Sequence, residues 1–268
     1  MSLIKIRAIV EKEFDEIMKN KMILSSLLLM PLIMAIIMPL AMLLPVFMTG
    51  DAGLSDNETQ TYINMLPGAD KNDVQGSLFK YFSSAVLPFF MMMPAFLPAI
   101  ISSYSIIGEK KNRTLEPLLA APVSVYDIII GKALSSLIPS LVATWISAVI
   151  YMLISSGISI AFLHRLILPD FVIWGLGMLI FAPLIAFLGI MSTVMVSSRV
   201  SDPRVAQQIS ALLIIPIMAL FIMQMSGLAM IDVRIMLAMI VIVFIVDAIS
   251  VRLGKFIFDR EEILTRWK

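Results

Sequence analysis

The 268-residue chain is 60% hydrophobic, with a mean hydropathy of +0.98 and a formal net charge of only +1. A soluble domain is about half apolar, so runs of more than about 20 apolar residues read as membrane spans, and the near-zero charge gives no electrostatic case for nucleic acid. With no cysteine, disulfides and thiolate metal sites are excluded.

Residues 3–20 predict an amphipathic helix. Leu3, Ile6, Val10, Phe14 and Ile17 share about 80° of arc at 100° per residue. Lys5, Lys12, Asp15, Glu16 and Lys19 fall on other faces, so the helix is expected to lie in the interface plane. The charges of this stretch do not fit a cleavable signal peptide. Span one is expected at 22–48. Pro31, Pro39 and Pro45 interrupt it and predict a bent helix packed on protein. Residues 49–83 are polar and read as the largest loop on their side, with a short helix around 59–66. Asn57-Glu58-Thr59 matches a glycosylation sequon. Span two is expected at 84–107, with Pro88, Pro94, Pro98 and the run Met91-Met92-Met93. Methionines pack adaptably, and here they either line a path for an apolar solute or fill core.

Residues 108–124 are a charged island between two apolar runs. Thr114 suits a helix N-cap, and Glu116 places a negative charge in the first turn, where the helix dipole favours it. Pro117 lacks an N–H that would have no intrahelical partner, while biasing Glu116 away from helix. Leu118 and Leu119 form an apolar tip, and Ser124 with Asp127 makes a capping box for the next span. The run Glu109-Lys-Lys-Asn-Arg-Thr-Leu-Glu-Pro-Leu-Leu, then Ala-Pro-Val-Ser, then Gly131-Lys132, resembles the signature loop of the ABC-2 type permeases. These are the membrane subunits of ATP-driven exporters. The family usually carries Gly before Thr-Leu-Glu, and Arg113 stands there in this chain.

That resemblance implies an all-α integral membrane fold. It has six transmembrane helices, residues 3–20 as an "elbow" helix along the inner leaflet, and a cytoplasmic coupling helix between spans two and three. It implies partner ABC ATPase subunits that hold ATP and Mg, no cofactor on this chain, and a second permease copy or homologue as dimer. The ATPase-coupling interface is then expected at Glu109, Lys110, Arg113, Thr114, Leu115, Glu116, Leu118 and Leu119, with Glu11 and Glu13 of the elbow helix as further contacts.

Span three is expected at 126–155, with Lys132 snorkelling to the headgroups. Residues 156–170 are apolar but too short to span and read as interfacial or re-entrant. They hold the sole histidine, His164, which has no ligand partners for a metal. Span four is expected at 171–197, where Gly189, Thr193 and Ser197 form a small-residue ridge suited to close helix contact. Spans five and six are expected at 207–230 and 235–251, followed by a charged tail, 252–268. Apart from Asp127 at the capped start of span three, Asp247 is the one acid inside a predicted span, either functional or paired with Arg252.

Sixteen Lys and Arg fall on the side of the termini and the 108–124 loop, against four on the other. This bias predicts a multi-pass protein of the cell membrane with both termini cytoplasmic. Neither Gly131-Lys132 nor Gly254-Lys255 carries the glycine a phosphate-binding loop needs five residues earlier. No HExxH or GxSxG occurs. The chain is therefore expected not to be an enzyme, and an ATP-driven engine must be a separate polypeptide. A gradient-driven secondary transporter or channel, or a membrane assembly scaffold, are the other classes these spans allow.

Overall fold

A computed structural model of the chain describes residues 3–48, 73–111, 125–197, 200, 202–226 and 231–257. Among them there is no strand, and six helical segments are long and apolar enough to cross a membrane.

Helix α1 (Leu3–Lys19) meets α2 (Lys21–Met48) at Asn20. This residue ends one helix and begins the next: its side chain accepts from the N–H groups of Met22 and Ile23, which lack intrahelical partners. Helix α2 is span one and continues through Pro31, Pro39 and Pro45, with Pro31 and Pro39 buried.

Span two is longer than the 84–107 read from sequence, because the apolar alternation fades before the helix does. Asp73 caps the Gly76 N–H at 3.1 Å and starts α3 (Val74–Ala85), which hands over at Val86 to α4 (Leu87–Lys111). Pro88 explains the break, since it has no N–H for the Ser84 carbonyl and its ring crowds that carbonyl. The segment Val74–Glu109 is the hub of the bundle: 78% of its span window is buried, against 17–44% for the other five. Met91 and Met93 are packed fully into the core around Phe90, so these methionines serve as core.

Helix α5 (Val125–Leu163) runs unbroken through the 156–163 stretch expected to be a separate interfacial piece. At 1.5 Å per residue it is about 58 Å long, well beyond a hydrocarbon core of about 30 Å. His164 ends it with a left-handed backbone, φ 51°. The Ser159 hydroxyl then bonds the Arg165 carbonyl and the Ile167 N–H, folding the chain back. Arg165 also pairs with Asp73, tying this corner to the start of α3.

Span four begins with α6 (Phe171–Gly175), capped by Asp170, and ends with α7 (Ala182–Ser197). Between them Leu176–Phe181 is a π-helical segment in which the Ala182 N–H reaches Gly177 O. In that register the Met178 carbonyl would look to residue 183, which is proline and has no N–H. Trp145 of α5 supplies the donor, Nε1 to Met178 O at 2.9 Å. The ridge on α7 makes the expected close contact: a Cβ on Gly189 would stand 2.4 Å from the Ala95 carbonyl oxygen of α4.

Span five (Pro203–Gln224) starts earlier than the 207 read from sequence, because Asp202 caps it and Pro203 takes the first helical position. It comprises α8 (Pro203–Ser210), a 3₁₀ turn at Ala211–Leu213 and α9 (Ile214–Met225). The tight turn precedes Pro216, which cannot donate to Leu212. Span six is α10 (Val233–Ile257), begun by the Asp232 side chain accepting from the Ile235 N–H at 2.8 Å.

Candidate functional site

Three helices meet where the 108–124 loop leaves and rejoins the bundle. Glu109 stands in the last turn of α4, Lys132 in the second turn of α5, and Lys12 and Glu13 on α1. Helix α1 comes close because residue 131 is glycine: a Cβ there would stand 2.7 Å from Ile9 Cγ2. Glu13 is the key departure from the expected geometry. It is 2% exposed and points into the chain between Ile6 and Ile17, while Phe14, expected on the buried face, is 45% exposed. The packed face of α1 is therefore rotated toward Glu13, and its apolar arc is split between bundle and surface.

The four charges form an alternating, nearly closed set. Lys132 Nζ lies 2.8 Å from Glu13 Oε1 and 2.9 Å from Glu109 Oε2. Lys12 Nζ lies 2.9 Å from Glu109 Oε1 and 3.4 Å from Glu13 Oε1. The Ser105 hydroxyl, one turn before Glu109, lies 2.6 Å from both Glu13 Oε2 and Lys132 Nζ. Lys132 therefore does not snorkel. Its ammonium is turned inward and almost fully buried.

Electrostatics follow from this arrangement. Burial by itself would raise the Glu13 carboxyl. The Lys132 ammonium outweighs it, together with the Ser105 hydrogen bond and the nearby Lys12, and holds the group below the usual carboxylate range. Burial would likewise lower Lys12, but its hydrogen bond to Glu109 and the charges of Glu13 and Glu109 hold it above the usual lysine value. Both groups are thus charged across the physiological range.

Deeper in the bundle, hydroxyl and amide contacts continue the tie. Ser102 Oγ donates to Ser136 Oγ at 3.0 Å, linking α4 to α5. Gln207 Nε2 donates to Ser103 Oγ at 3.0 Å, linking α8 to α4. Thr193 and Ser210 share a 2.8 Å hydrogen bond, linking α7 to α8.

Of the residues singled out from sequence, Glu13, Glu109 and Lys132 are brought together. Glu11 is not: it is exposed and pairs with Arg7 at 2.7 Å on the outer face of α1. Arg113, Thr114, Leu115, Glu116, Leu118 and Leu119 lie outside the described residues, as do the side chain of Lys110 and the Ser124 half of the capping box. Asp247 is buried, and neither carboxyl oxygen has a hydrogen-bond partner among the described residues; Arg252, expected as its partner, is exposed and does not pair with it. Lys12 and Ser105 were not anticipated, although Ser105 stands one helical turn from Glu109 on the same face.

Residues 7–240 match the family model described as ABC-2 family transporter protein. The chain belongs to the ABC-2 transporter family. No curated protein matches it. As an ABC-2 permease it is a multi-pass membrane component of a transporter, a role that is generally not itself catalytic. The matched region holds most of α1, the ionic cluster, both roots of the charged loop and five of the six spans. It stops at Ile240, short of Asp247.

Proposed function

We propose that this chain is the permease subunit of an ATP-driven exporter of the cell membrane, both termini cytoplasmic, coupled to separate ATPase subunits that bind ATP and Mg. A second permease copy or homologue completes the path, and the Leu115–Leu119 stretch inserts as a coupling helix into a groove on the ATPase. The export direction and the dimer rest on the family. The excess of Lys and Arg on one set of loops supports the orientation.

The observation that carries the coupling reading is the ionic cluster at the two roots of the loop. A loop that transmits motion needs stiff attachments. Here Glu109 at its start and Lys132 shortly after it are ion-paired with each other and with the same helix, α1. Displacing the loop then moves α1, α4 and α5 together, and the hydroxyl links to α7 and α8 carry the displacement into the other spans. Removing one member of such a buried pair leaves its partner uncompensated, at a cost of about 3–5 kcal/mol, so the unit resists separation.

The test is Glu116→Lys in the chain co-expressed with its ATPase. Transport and the stimulation of ATP hydrolysis should fall while the amount of chain in the membrane stays constant. Full coupling in that variant contradicts the assignment.

A further inference from the structure

Asp247 lies on the face that α10 turns into the bundle. Met236, Ile240, Val243, Asp247 and Ser250 recur at four- and three-residue steps, and all are buried or packed on the core. This face meets span four. The two helices cross in the same direction, and Met236 Cε stands 3.5 Å from where a Gly177 Cβ would be. Eleven residues further along each helix, Asp247 is level with about Leu188 and stands six residues before the end of its span at Leu253.

The described surroundings offer the carboxyl no hydrogen bond. It is 6% exposed, and neither oxygen has a hydrogen-bond partner among the described residues. Residues 171–197, which supply every segment packed substantially against α10, contain no Asp, Glu, Lys, Arg or His. On α10 itself Arg234 lies almost four turns away, Arg252 is exposed toward the far end, and Lys255, eight positions on, has its side chain outside the described residues. A buried ionised carboxylate without a charged or hydrogen-bonding partner is strongly disfavoured, whereas the neutral acid is tolerated.

We propose that Asp247 is a proton-binding site within the sixth span. The neutral acid lets α10 pack on span four. Release of the proton to water at the cytoplasmic end creates a charge that this apolar face cannot hold, and α10 moves away from span four. The site is a proton-responsive element of the permease, and it does not depend on how the chain is coupled to ATP.

The experiment uses the full chain in lipid nanodiscs, without an ATPase, so its outcome is separate from that of the coupling test. Dicyclohexylcarbodiimide, a lipophilic reagent, adds to protonated carboxyls in apolar surroundings, and peptide mass spectrometry locates the adduct. The adduct is expected on Asp247, falling in yield as pH rises, and absent in Asp247→Asn. Glu13, ionised beside Lys132, should stay unlabelled. Because the chain has no native cysteine, a cysteine pair placed across α10 and span four reports their packing by cross-linking. Cross-linking should be lost at alkaline pH in the parent and retained at every pH in Asp247→Asn, which mimics the neutral acid. Absence of the adduct at every pH, or adduct yield and cross-linking that ignore pH, overturns the proposal.

Discussion

Lys132 Nζ and Glu13 Oε1 are 2.8 Å apart in space and 119 positions apart in sequence. This contact fixes a surface helix to the root of a loop that local sequence logic treats as independent of it. Because both side chains are buried, Glu13→Gln and Lys132→Met should each lower stability by about 3–5 kcal/mol. The double variant should lose less than the sum, with an interaction energy of about 0.5–3 kcal/mol. Thermal unfolding of the purified chain and its variants measures this, and strict additivity would argue against the contact.

The same contact has a pH signature. Glu13 titrates below its usual value of 4.5 in the folded chain, so its stabilising effect is fully present above that value. It is lost as pH falls through the lower folded value. The stability gap between the parent and Glu13→Gln should thus be flat near neutrality and close only in acid. On the alkaline side, Lys12 titrates above its usual 10.5, so its part is present below 10.5 and fails only at higher pH. Melting curves across pH decide the point: a gap that closes near neutrality would contradict the shift.

Gly189 and Gly157 make a matched pair for helix packing. An added methyl at Gly189 would meet the Ala95 backbone at 2.4 Å, so Gly189→Ala should cost about 1–3 kcal/mol by forcing α7 from α4. Gly157 has nothing within 4 Å of the same methyl, so Gly157→Ala should be neutral or gain about 0.5–1 kcal/mol. Equal effects from the two changes would show that the α4–α7 approach is looser than described.

Trp145 should matter through its ring nitrogen. Trp145→Phe keeps most of the apolar contact but leaves the Met178 carbonyl, already deprived by Pro183, without its donor. A loss of about 1–3 kcal/mol is expected from a buried unsatisfied carbonyl. An unchanged melting temperature would mean that the π-helical segment finds another donor.

The spans were legible because their apolar runs exceed anything a soluble core needs. Their ends were less so. Val74–Ser83 is polar enough to pass for loop, but its helix is fixed by the Asp73 cap and by packing of Phe79 in the core. Residues 156–163 continue α5 because nothing breaks the helix before His164. The ionic cluster was half legible: Glu13 and Glu109 are both expected at the ATPase-coupling interface and Lys132 at the headgroups, with nothing in the sequence to join the three. The helical wheel of α1 held the missing signal, since Glu13 falls within about 20° of Ile6 at 100° per residue and so sits on the apolar face. Only the tertiary partners, more than 90 positions away, explain why a carboxylate is tolerated there.

The most direct test of the coupled-permease reading is purification of the tagged chain from native membranes in mild detergent, with the co-purifying proteins identified. A stoichiometric nucleotide-binding ATPase should accompany the parent chain and be lost when Leu118 and Leu119 are both changed to Asp. A chain recovered in full yield with no ATPase under the same conditions would contradict the reading, and the ionic cluster would then be a structural tie alone.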